Sequence, residues 1–139
     1  MSRAPSAKRR RALSSQCHCG AVRIELPRRP RTVTECNCSI CRRYGTRWAY
    51  YTARTVRILG HPTHTDSYAC GDRRIRLVRC RQCGCVTHWE SVVGDPESRM
   101  GVNVRNVEPG AIGRVRLRLL DGADTWRDLN AGRSDFLEL

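Results

Sequence analysis

The chain has 139 residues and carries 26 basic side chains against 13 acidic ones, a formal net charge of +13, in a length that admits one domain and excludes two separate cores. Leu, Ile, Val and Phe together make up fewer than a fifth of it, a share that with this charge is expected of a disordered chain. Nine cysteines reverse that expectation, because metal ions or disulfides can hold together a chain with a small apolar core.

Residues 1 to 14 (MSRAPSAKRRRALS) read as a basic disordered tail, and nothing before Cys17 has the apolar middle of a secretory signal. Short strands separated by turns follow. Ala21 to Leu26 sets Val22, Ile24 and Leu26 on one face and Arg23 and Glu25 on the other, a period of two. Further strands are predicted at Thr32 to Glu35, Arg47 to Thr52, Val56 to Leu59, Thr63 to Ala69, Arg73 to Arg79, Val86 to Ser91, Gly101 to Arg105 and Arg114 to Leu120, with turns at Gly60, Gly71-Asp72, Gly94-Asp95-Pro96, Pro109-Gly110 and Asp121-Gly122. One helical turn is predicted after Cys38, from Ile40 to Tyr44. The organisation expected is a tail over 1–14, one mostly-β domain over 15–128 and a C-terminal extension over 129–139. No segment approaches the roughly 18 apolar residues of a membrane span, so the expectation is a soluble, cytoplasmic protein.

Lys8 is the only lysine, so the positive charge is almost entirely arginine. In Arg73 to Arg79 and Arg114 to Leu119 the arginines alternate with Ile75, Leu77, Val115, Leu117 and Leu119, as a solvated strand face should. A nucleic-acid stripe would need them clustered on one face, and no specific nucleic-acid partner is expected.

Seven cysteines fall into three clusters: Cys17-His18-Cys19, Cys36-Asn37-Cys38-Ser39-Ile40-Cys41 and Cys80-Arg81-Gln82-Cys83-Gly84. Residues i and i+2 of an extended segment share a face, so C-x-C presents two sulfurs to one ion while His18 points away. C-x2-C-G forms a tight knuckle whose glycine relieves crowding as the backbone turns. Two such pairs complete a tetrahedron, and Cys17, Cys19, Cys80 and Cys83 are expected to form a closed structural zinc site. Cys36, Cys38 and Cys41 supply three thiolates and leave a tetrahedral ion one ligand short, the condition of a catalytic site. A fourth ligand from Cys70, Cys85 or His88 would close it. Cys70 and Cys85 lie outside any paired spacing, and His61, His64 and His88 read as surface or satisfied core histidines.

The stretches Cys17 to Leu26 (CHCGAVRIEL), Cys36 to Gly45 (CNCSICRRYG), Arg79 to Glu90 (RCRQCGCVTHWE), Gly101 to Arg105 (GVNVR) and Leu120 to Trp126 (LDGADTW) resemble the glutathione-dependent formaldehyde-activating enzyme family, also called the centromere protein V domain family. The resemblance covers about residues 15 to 128. It implies several short coiled antiparallel sheets fastened by zinc, similar to the methionine sulfoxide reductase B type fold, and two Zn²⁺ per chain. Cys17, Cys19, Cys80 and Cys83 match the family's structural ligands, and Cys36, Cys38 and Cys41 its catalytic ones. The segment Arg42 to Thr46 and the extra Cys85 depart from the best-studied members.

The implied activity is that of a carbon–sulfur lyase that activates glutathione, or a similar small thiol, for reversible addition to an aldehyde such as formaldehyde. A free thiol with a pKa near 8.5 is mostly protonated at neutral pH and binds a metal as the nucleophilic thiolate. Arg42, Arg43 and Arg47 are candidates to pair with glutathione's carboxylates. The competing class is a zinc-fastened binding module for single-stranded nucleic acid or a protein, with Tyr44, Trp48, Tyr50 and Tyr51 among arginines as a stacking platform. Strand alternation splits those aromatics between two faces.

Overall fold

The computed structural model describes residues 13–139; the expected tail lies, up to residue 12, outside the described residues. Eleven strands and one short helix follow: β1 (Leu13–Gln16), β2 (Arg23–Leu26), β3 (Thr32–Cys36), α1 (Ser39–Tyr44), β4 (Trp48–Thr52), β5 (Arg57–Leu59), β6 (Thr65–Tyr68), β7 (Ile75–Cys80), β8 (Val86–Ser91), β9 (Arg99–Asn103), β10 (Arg114–Leu120) and β11 (Phe136–Glu138). The mostly-β reading holds, and every strand predicted from residue 21 to residue 120 has a counterpart within a few residues.

Two strands appear where none was expected. β1 starts at Leu13, inside the segment read as tail, and pairs antiparallel with β2, while Ser15 Oγ donates to the Asn103 carbonyl at 3.1 Å. β11 lies in the segment read as an extension and pairs with β10, setting Leu137 opposite Val115. Both ends of the described chain are therefore part of the domain.

The strands form a three-stranded sheet, β1-β2-β5, and an eight-stranded sheet, β11-β10-β3-β4-β9-β8-β7-β6. All strand pairs are antiparallel except β3 with β10, which run parallel from Thr32 opposite Arg116 to Cys36 opposite Leu120. The main core joins the small sheet, through Ile24 and Leu26, to the large one, through Val33, Ala49, Tyr51, Met100, Val102 and Val115. The alternation of β2 and β10 directs these side chains inward and leaves Arg114 and Arg116 in solvent. A second cluster of Cys17, Val22 and Cys80, flanked by Ala21, Ile58, Cys83 and Cys85, bonds the edge of the small sheet to the far end of the large one. Among the described residues no helix is long and apolar enough to cross a membrane.

Candidate metal centres

All nine cysteines are free thiols, and seven gather into the two groups expected from their spacing. Cys17 and Cys19 lie in the turn between β1 and β2, Cys80 ends β7, and Cys83 sits in the turn to β8. Their four sulfurs lie within 4.8 Å of one another, with Cys17–Cys19 at 3.8 Å and Cys19–Cys80 at 3.5 Å. Zn–S bonds of about 2.3 Å set the sulfurs of a tetrahedron roughly 3.8 Å apart, so this donor set fits a zinc ion. Backbone amides already point at it: Val22 N–H donates to Cys17 Sγ at 3.3 Å and Cys83 N–H to Cys80 Sγ at 3.5 Å. Such donors stabilise thiolate charge. His18 is exposed and outside the group, as the alternation of C-x-C requires.

Cys36 ends β3, Cys38 caps α1 and Cys41 lies within it, so one strand-to-helix corner delivers three sulfurs. Gly45 closes α1 with φ 69. Cys36 Sγ accepts from Cys38 N–H at 3.4 Å and Cys41 Sγ from the Trp48 indole N–H at 3.3 Å. A hydrogen bond from the Cys41 thiol brings the Cys36 pKa down to about 5, and the same bond pushes Cys41 up. The shared bond thus favours negative charge on the cluster, with Cys36 lowered and Cys41 raised. Among the described residues no fourth cysteine, histidine or carboxylate joins this group. Cys85 packs beside Cys83, His88 is buried against Glu90, and Cys70 lies in the turn after β6.

The loop after β10 covers the cluster, a role the sequence motif Leu120 to Trp126 did not disclose. Asn37, the middle residue of C-x-C, points away from the sulfurs and clasps that loop: its Nδ2 donates to Asp121 Oδ1 at 2.9 Å, and its Oδ1 accepts from Ala123 N–H at 2.9 Å. The bond from Asn37 Nδ2, with those from Thr125, holds the Asp121 carboxyl below its usual range. Gly122 is brought so close that a Cβ there would overlap Cys36 Sγ.

Beside Cys36 and Cys41 lies a cavity of about 290 Å³, lined also by Arg42, Arg105, Leu120 and Leu129. Of the three arginines singled out by sequence, Arg42 alone lines it. Arg47 is held by Glu35 at 2.6 Å, and Arg43 donates to the Ser39 carbonyl at 2.9 Å. Arg105, which follows β9 and was not anticipated, lines the cavity and anchors its Nε–H on the Gly45 carbonyl. Nothing near it in sequence indicated this, because the contact spans sixty residues. The stacking platform is not available as drawn: Trp48 and Tyr51 are buried in the core, and Tyr50 is edge-on to Trp89 beneath Arg99.

A family model described as glutathione-dependent formaldehyde-activating enzyme matches residues 12–116, three-quarters of the chain. The chain belongs to that family. A crystal structure of a Rhodobacter sphaeroides protein is similar at 35% identity and a TM-score of 0.58, over 68% of this chain and 87% of that one. The family match takes in all seven clustered cysteines and stops before Gly122, so the loop over Cys36 lies beyond it.

Proposed function

We propose that the protein is a carbon–sulfur lyase of the S-(hydroxymethyl)glutathione synthase type, with structural zinc on Cys17, Cys19, Cys80 and Cys83 and catalytic zinc on Cys36, Cys38 and Cys41. The observation that carries this reading is the three-sulfur group, without a fourth ligand among the described residues, opening on a cavity of about 290 Å³. Bound there, zinc supplies a position at which an incoming thiol is held as its thiolate. Membership of a family described as glutathione-dependent and formaldehyde-activating supports glutathione as that thiol and formaldehyde as the electrophile.

The chain's own residues prepare the reaction. Trp48 N–H and the Cys38 amide spread the negative charge of the cluster and fix two of its sulfurs. Arg42 and Arg105 offer positive charge at the cavity wall to glutathione's carboxylates. Leu120 and Leu129 give the reacting sulfur an apolar flank. In the addition, the thiolate sulfur forms a bond to the aldehyde carbon, the carbonyl electron pair moves to oxygen, and that oxygen takes a proton from water. The reverse reaction breaks the same carbon–sulfur bond.

Glutathione and formaldehyde also combine without a catalyst, so the test is the rate of exchange at equilibrium between the free aldehyde and its glutathione adduct, read by exchange NMR. Catalytic amounts of the protein should accelerate exchange, and Cys38→Ser should not. Exchange at the uncatalysed rate with metal-replete protein would sink the proposal.

A further inference from the structure

A third group of metal-ligating side chains lies outside both cysteine clusters. His61 Nε2, His88 Nε2 and a Glu90 carboxylate oxygen lie within 4.8 Å of one another. His88 and Glu90 alternate on β8 and so share a face, and Arg76 on β7 stands directly opposite Glu90. His61 arrives from the turn between β5 and β6. Gly60 before it has φ +90 and lies so close to the Ala21 carbonyl that a Cβ there would overlap it.

The contacts converge on one carboxylate. His88 Nε2 is 2.8 Å from Oε1, His61 Nε2 is 3.0 and 3.1 Å from the two oxygens, and Arg76 Nε–H donates to Oε2 at 2.8 Å. The far nitrogen of each ring is anchored in the same way, His61 Nδ1 at 2.8 Å from Thr65 Oγ1 and His88 Nδ1 at 2.9 Å from Thr87 Oγ1. Each threonine hydroxyl has a second partner, the Pro62 carbonyl for Thr65 and the Val78 carbonyl for Thr87, both at 3.3 Å.

That arrangement supports two states of the rings, and because a threonine hydroxyl carries one proton, the second makes one hydrogen bond more at each threonine than the first. In one, each hydroxyl donates to Nδ1, and the ring proton sits on Nε2 and is given to Glu90. In the other, each hydroxyl donates to its backbone carbonyl and accepts from Nδ1–H. Both Nε2 lone pairs then face the carboxylate, and these electron-rich atoms repel unless a cation lies among them. Exchanging one for the other moves the ring proton between nitrogens by way of solvent.

We infer that His61, His88 and Glu90 form a third metal site, taking one divalent transition-metal ion of the Zn²⁺ or Co²⁺ type through two imidazole Nε2 atoms and Glu90 Oε1. Two imidazoles and one carboxylate are donors suited to those ions rather than to Ca²⁺ or Mg²⁺. Hydrogen bonding of the distal nitrogen is the support that metal-bound histidines require. Bonds of about 2.0–2.2 Å place tetrahedral donors roughly 3.3 Å apart, a few tenths wider than the present contacts. His61 and Glu90 have side chains 17% and 18% exposed and can give by that much, while fully buried His88 is the fixed ligand. Arg76 occupies Oε2 and leaves Oε1 to the ion. Three protein donors leave the remaining position of a tetrahedral ion to water.

The test is equilibrium dialysis of the full chain against Co²⁺, beside His61→Gln, Glu90→Gln and Thr65→Val. Wild type should retain one cobalt per chain more than His61→Gln or Glu90→Gln. The wild-type-minus-variant spectrum should show weak visible d–d bands without thiolate charge-transfer absorption. Thr65→Val, nearly isosteric but without the hydroxyl, should bind this cobalt 10–100-fold more weakly. Equal cobalt in wild type and in variants with unchanged thermal transitions would overturn the inference, as would thiolate charge-transfer in the difference spectrum or unchanged affinity in Thr65→Val.

Discussion

The two cysteine clusters use the same side chain for opposite ends. Cys17 and Cys19 belong to the small sheet and Cys80 and Cys83 to the far end of the large one, so the four-sulfur group joins segments some sixty residues apart. Cys36, Cys38 and Cys41 come from six consecutive residues at one corner, and their gathering closes almost no loop. The entropy of ordering a chain grows with the length of loop that a crosslink closes, so the first group is suited to hold the fold and the second is free to serve chemistry. The surroundings agree. Cys17 and Cys80 lie in a buried apolar cluster, and Cys36 and Cys41 face a cavity.

The largest effect should come from the first group. Metal binding at a four-thiolate site in a small domain is worth an apparent ~10–16 kcal/mol at neutral pH, as much as a whole domain's stability. Cys17→Ser and Cys83→Ser should therefore give insoluble or unfolded protein, seen as loss of the far-ultraviolet signal and of a cooperative thermal transition. A Cys83→Ser variant with the wild-type transition would erase the distinction between the clusters. Cys41→Ser should do the reverse: it should fold, hold one metal ion fewer than wild type by elemental analysis, and lose glutathione-dependent exchange. Unchanged metal content would place the third ligand elsewhere.

Gly122→Ala sharpens the comparison without touching a sulfur. The added methyl must displace Cys36 Sγ or lift the loop, and a misplacement of about 1 Å at a reacting centre can cost on the order of 10²-fold in rate. Activity should fall by about that factor while the first cluster and the thermal transition stay close to wild type. Arg105→Ala should act more weakly still, raising KM for glutathione about tenfold with kcat little changed, the pattern of a lost ground-state contact. A fall in kcat alone would assign Arg105 to positioning Gly45 and α1 rather than to substrate. The smallest effect is expected from Asn37→Ala, which frees the loop from the corner at about 1 kcal/mol, read as a drop of a few degrees in thermal midpoint.

Local patterns carried most of this architecture into view, and long-range pairings did not. The alternation of β2, β7, β8 and β10 marks them as strands, and the bounds of β8 and β10 agree to the residue. β1 was hidden because Leu13-Ser14-Ser15-Gln16 has one large apolar residue, and its place depends on β2 and on Asn103. β11 is three residues long and exists only by pairing with β10. The cysteine groups were legible because chelating spacing is short-range geometry. Gly122 over Cys36 and Arg105 at the cavity were not, since each meets the cluster through a fold-level return of the chain. His61, Glu90 and His88 read singly as ordinary histidines and a strand carboxylate until β5, β6 and β8 brought them together.

Trp48, whose indole N–H rests on Cys41 Sγ, has an optical consequence. It is buried on one side of the cluster, and Trp126, exposed and packed toward Gly122, flanks the other. A thiolate quenches indole emission by electron transfer, and Trp48 emits to the blue of a solvated indole such as Trp126. In a Trp89→Phe variant, which removes the third indole, the occupancy of the corner should be read from two separable bands of intrinsic fluorescence, and a thiol arriving beside Cys41 timed in stopped flow with no label attached.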